Sequence, residues 1–131
     1  MSNYNGLCRV PVSIGELWDK YTILCLKKKY INDKTKLFNI TKEMALLKPM
    51  LDKYPLEDKM FKQLYNINNM LWNIEDNIRL KENNKCFDEE FIDLARSVYK
   101  NNDIRASIKK EINILFHSVV CEEKSYQEYS R

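Results

Sequence analysis

Between residues 60 and 78, apolar side chains recur at alternating spacings of four and three: Met60, Leu64, Ile67, Leu71, Ile74 and Ile78. A half-buried strand would alternate every second residue, so this pattern belongs to one face of a long helix with a heptad-like seam. Only two glycines and three prolines punctuate the 131 residues, which leaves few places for the chain to turn outside short connections. The chain is therefore expected to be all-α, an antiparallel bundle of four main helices with the third and fourth long. Its length suits one domain over 1–131, with an N-terminal arm over 1–11 and a polar tail over 122–131.

Local signals place the elements. Ser13-Ile14-Gly15-Glu16 reads as a capping box that opens the first helix, the serine accepting from the Glu16 amide and the glutamate reaching back. Ile14, Leu17, Trp18, Tyr21, Leu24 and Cys25 form one face, and Ile23, Leu26 and Tyr30 widen it, so this helix needs neighbours on more than one side. A second helix starts near Thr35, and Pro49 predicts a kink or an end near Leu47 before a loop through Tyr54-Pro55. The third runs from about Leu56 to Glu82. Asp88 caps the fourth, with Phe87 and Ile92 placed as a hydrophobic staple. Phe91, Leu94, Ala95 and Val98 begin its inner face, and Ile108, Ile112, Leu115 and Val119 resume it. No glycine or proline lies between, so the reading is one continuous or slightly kinked helix with Asn101 and Arg105 on or beside the buried stripe.

Composition excludes several classes. The net charge of +3 arises from 22 basic and 19 acidic residues spread along the chain, which argues against nucleic acid as a partner, and Lys27-Lys28-Lys29 reads as a solvated helix face. No eighteen apolar residues occur together and Met1 to Arg9 lacks the apolar core of a signal peptide, so a cytoplasmic protein without a membrane partner is expected. Cys8, Cys25, Cys86 and Cys121 have neither metal-motif nor disulfide-framework spacing and read as reduced thiols.

Two polar clusters interrupt the apolar helices. Ile74-Glu75-Asp76-Asn77-Ile78-Arg79 and Asn101-Asn102-Asp103-Ile104-Arg105 each put acids or amides within a turn of an arginine. Facing one another, they can form a pocket in which Arg79 and Arg105 hold a phosphate or carboxylate and Glu75 or Asp103 accepts a proton; the same groups can equally saturate one another as an ion-paired seam. Asp19 and Lys20 interrupt the apolar first helix and are assigned to the same polar site. The candidate ligand-binding set is thus Asp19, Lys20, Glu75, Asp76, Arg79, Asn102, Asp103 and Arg105, with Glu75 and Asp103 as candidate catalytic acids.

No metal or cofactor is implied. Glu90-Phe91-Ile92-Asp93 has the acid spacing of all-helical nucleotide pyrophosphatases but lacks their upstream Glu-x-x-Glu, and it suits the acidic first turn of a helix. His117 and Cys121 share a helix face only if the fourth helix extends that far, and two groups are too few for zinc. There is no phosphate loop and no nucleophile elbow.

Val12-Ser13-Ile14-Gly15-Glu16-Leu17 with Asp19-Lys20 and Thr22-Ile23-Leu24, Leu71-Trp72-Asn73-Ile74-Glu75-Asp76 with Ile78-Arg79, Leu94-Ala95-Arg96 with Val98-Tyr99 and Asn102-Asp103, and Glu122-Glu123-Lys124-Ser125-Tyr126 together resemble a family of small all-helical proteins of bacteria and large DNA viruses that carries only a domain-of-unknown-function label. The resemblance spans nearly the whole chain and implies no catalytic residue; if viral, the setting would be the host cytoplasm. That family's pattern often has glycine before the serine where this chain has His117. Trp18, Tyr65, Trp72 and Tyr99 exceed what a small bundle needs, so the expected function is a helical module that binds a protein partner, itself as a homodimer, or an anionic small ligand. The alternative is a small bundle enzyme acting on a phosphorylated or sugar-nucleotide substrate.

Overall fold

The computed structural model describes residues 6–129 and contains four helices: α1 (Ile14–Tyr30), α2 (Lys34–Lys53), α3 (Asp58–Asn83) and α4 (Glu89–Leu115). Ser13 Oγ accepts from the Glu16 amide at 3.0 Å as expected, but the Glu16 carboxylate turns instead to the buried Lys109 on α4. Asp33 and Asp88 cap α2 and α4 through the amides of Lys36 and Phe91. Phe87 packs its ring edge-on against Phe91, with centroids 5.3 Å apart, while Ile92 of the expected staple is exposed.

α2 and α4 each depart from expectation in one further respect. α2 runs unbroken to Lys53 with Pro49 inside it. Ala45 and Pro49 both lie on the solvent side, so the carbonyl that loses its amide partner there is open to water and the helix need not end. The fourth helix is continuous, as read, but its inner face is not the predicted one at the C-terminal end. Ile112 is wholly buried whereas Leu115 and Val119 are exposed, because α4 stops at Leu115 and the chain reverses. His117 and Cys121 therefore share no helix face.

α1 is the hub. It packs against α2, α3 and α4, which explains why Leu17, Trp18, Leu24 and Leu26 are buried all round it, and α3 and α4 form the other long interface. α2 lies against α1 alone among the helices, although its C-terminal Leu51 reaches the central cluster of Leu17, Trp18, Leu64, Ile67 and Ile112. Ring contacts seal that cluster: Trp18 meets Tyr21 and Phe61 edge-on and its indole N–H donates to the Tyr54 carbonyl at 2.8 Å. The aromatics that suggested an interface find partners within the chain. Trp72 stacks on Tyr30, Tyr65 on Phe61, and Tyr99 meets Tyr129.

α1 and α4 come closest at Gly15. A Cβ there would strike the Lys109 carbonyl oxygen and stand 2.8 Å from Asn113 Oδ1. The first amides of α1 are satisfied across this contact, Gly15 N–H donating to Asn113 Oδ1 at 2.6 Å and Ile14 N–H to Ser118 Oγ at 3.2 Å. Ser118 is brought there by a Schellman turn: its amide donates to the Asn113 carbonyl, the His117 amide to that of Ile114, and His117 adopts φ 51°. That left-handed conformation is why a glycine suits this position.

Candidate functional site

From Ser118 the chain runs back along α4 as an irregular strap to Tyr129. The tail, expected to be merely polar, is fixed there by Glu122 on Lys109 at 3.2 Å, by the Tyr129 hydroxyl donating to Asp103 at 2.8 Å, and by the edge-on contact of Tyr129 with Tyr99. Beneath the strap lies a buried polar network. Gly15, Asp19 and Thr22 follow at spacings of four and three, so one stripe of α1 presents a carboxylate and a hydroxyl toward α3 and α4.

Asp19 has no exposed surface. Its Oδ1 accepts from Arg105 Nε and from Asn68 Nδ2, both at 2.9 Å, while Arg105 Nη2 donates to Oδ2. Asn68 Nδ2 also donates to Thr22 Oγ1 at 2.8 Å, and Thr22 Oγ1 in turn donates to the Asp19 carbonyl. Lys109 Nζ stands 3.9 Å from Asp19 Oδ2 and bonds Glu16 at 2.6 Å. No buried side-chain polar atom among the described residues lacks a partner, so this pairing offsets the cost of taking two cations and a carboxylate out of water. Hydrogen bonding to Asp19 raises the affinity of Arg105 for its proton. Burial opposes the Lys109 charge, but its bonds to Glu16 and Glu122 and the Asp19 charge prevail and raise it, while the Lys109 bond holds Glu122 below the usual carboxylate range.

The structure splits the sequence-predicted set. Asp19, Asn102, Asp103 and Arg105 come together, with Asn102 Oδ1 3.5 Å from Arg105 Nη1. Glu75 and Arg79 form an exposed pair at 3.7 Å, and Asp76 is exposed beside them. Because α3 pairs Asn68 with the level of Arg105, Glu75 and Arg79 stand about two and three turns further along α3 and outside the network. Lys20 faces α2, where it pairs with Glu43. Sequence reasoning missed Glu16, Thr22, Asn68, Lys109 and Glu122. Asn68 and Lys109 did carry a signal, since each sits at helical spacing from core positions, four after Leu64 and three before Ile112.

Between α4 and the strap, Val98, Tyr99, Asn102, Asp103, Arg105, Lys124, Tyr126, Gln127, Glu128 and Tyr129 line an open groove of about 950 Å³. Pairing through Nε and Nη2 commits one edge of the Arg105 fork to Asp19; Nη1 approaches Asn102, and both residues line the groove. No three metal-ligating groups converge among the described residues, and no helix is long and apolar enough to cross a membrane.

Residues 8–130 match the model of DUF6165, a family of unknown function. The chain belongs to that family. No curated protein and no solved structure matches it. The match covers the capped start of α1, the whole buried network and the whole strap, so the site just described lies within the family unit.

Proposed function

We propose that this member of DUF6165 is a non-catalytic helical binding module whose ligand site is the groove between α4 and the strap, and that the ligand is a small anion. The reading is carried by Arg105: a buried carboxylate orients its guanidinium, and the residue lines a groove to which Tyr99, Tyr126 and Tyr129 also contribute. Such preorganisation lowers the entropic cost of binding, and a guanidinium end suits a phosphate or carboxylate. Lys124, paired with Glu122 at 3.8 Å and lying over the Tyr126 ring, adds a second cation to the lining, and Tyr126, largely exposed, offers a ring to a planar or sugar-like portion.

A binding role is preferred to a reaction because the candidate acids are committed elsewhere. Glu75 pairs with Arg79 on the surface, and Asp103 accepts the Tyr129 hydroxyl. The test is a thermal-shift screen against nucleotides, sugar nucleotides and sugar phosphates. A ligand should raise the melting temperature of the native chain, and Tyr126→Ala should abolish that rise without changing the melting temperature of the free protein. If no anion shifts the transition, the groove is not a ligand site.

A further inference from the structure

α3 and α4 contain 26 and 27 residues whereas α1 has 17, and the start of α1 is tied to the end of α4 by the Gly15–Asn113 and Ile14–Ser118 bonds. At 1.5 Å per residue the excess is about 15 Å, and it must appear at the opposite end as a two-helix arm that overhangs α1 and α2. The overhang leaves a shoulder, the α1–α2 corner, beside it. Arm and shoulder carry opposite charge. Residues 27–42 hold six lysines and a single acid, Asp33, whereas residues 73–95 hold seven acids and three bases. The chain's overall +3 conceals this division.

Both surfaces also expose apolar side chains. On the outer face of α2, Lys34, Phe38, Lys42 and Leu46 succeed one another at intervals of four, and Phe38 is 68% exposed. On the arm, Leu80, Phe87 and Ile92 are more than half exposed. An apolar centre within a charged rim is the composition of an interface rather than of a solvated helix.

We infer that the occupant of each surface is the other one on a second copy of this chain, the acidic arm of one protomer lying on the lysine-bearing shoulder of its partner in a two-fold dimer. A two-fold arrangement uses both complementary contacts at once and closes, leaving neither surface free to grow a filament. Opposite potentials fix the register, and Phe38 against the apolar arm tip supplies the desolvated centre.

Sedimentation velocity on the full chain, with charge reversals on each surface, tests this. Lys34→Glu with Lys42→Glu alters the shoulder, and Glu89→Lys with Asp93→Lys alters the arm; all four side chains are exposed. The wild type should dimerise with an affinity that falls as salt rises, each variant alone should weaken the dimer by about tenfold or more, and an equimolar mixture of the two should restore it as a heterodimer. Phe38→Ser should weaken the dimer without removing its salt dependence. A wild type that stays monomeric to about 100 μM at low salt overturns the inference, as does a dimer indifferent to both reversals, or a mixture that fails to reassociate while each variant keeps its helical circular dichroism. Because none of these residues lines the α4–strap groove, the dimer and the ligand proposal stand or fall separately.

Discussion

Asp19 on α1 and Arg105 on α4 meet through two parallel hydrogen bonds across 86 residues of sequence, and the carboxylate is wholly buried. Breaking one side of such a pair costs more than the pair contributes, because the survivor stays out of water without a counterion. Asp19→Ala should destabilise the fold by roughly 3–5 kcal/mol in urea unfolding. Replacing both residues, as in Asp19→Leu with Arg105→Met, should recover most of that loss. A double variant no better than the single one would mean that the pair contributes net stability.

Gly15 is set by space rather than by backbone angle. Gly15→Ala puts a methyl group against the Lys109 carbonyl, which is backbone and cannot rotate away, so α1 and α4 must separate. The expected loss is about 2 kcal/mol or more, from overpacking and from stretching the Gly15–Asn113 bond. Denaturant unfolding measures it, and a neutral substitution would show that α4 shifts freely.

His117 invites the opposite change. Its φ of 51° strains a side-chain-bearing residue, so His117→Gly should stabilise the chain by roughly 0.5–1 kcal/mol after the added backbone entropy of glycine is subtracted. Calorimetry would register a rise of about 3 °C. A fall in melting temperature would mean that the imidazole makes an interaction that offsets the strain.

The α3–α4 turn should respond to acid. The Lys81 hydrogen bond, then the Phe91 amide, hold the Asp88 carboxyl at about 2 against an ordinary 3.8. A carboxyl lowered on folding stabilises the native state above its ordinary value, and that contribution fades as pH falls from about 4 toward 2. Asp88→Asn, which keeps a capping oxygen, should flatten this part of the stability profile. Unfolding midpoints measured between pH 5 and 2 would reveal it; equal slopes for both proteins would contradict the assignment.

The helices were legible because the 3.6-residue period of Met60 to Ile78, the caps at Ser13 and Asp88 and the absence of breakers after Val98 act locally. Pro49 misled because its consequence depends on which side of α2 meets solvent, and only packing decides that. The site was half legible. Arg105 and Asp19 stood out as charges on apolar faces, but Glu75 and Arg79 looked alike in sequence and differ only in height along α3. Glu122 gave no local signal, since its role depends on the reversal at Ser118 that lays the strap over Lys109.

The clasp of Asn113 and Ser118 on the first amides of α1 bears on synthesis. α1 is the hub of the core, yet its leading turn is completed by groups made 98 and 104 residues later. Until α4 is made, Asp19 has Asn68 of α3 but not Arg105, and Gly15 and Ile14 lack the acceptors of their amides, so the first three helices cannot complete this core by themselves. Folding is thus expected to be an all-or-none event that waits for α4, paced by how quickly the fourth helix finds the first.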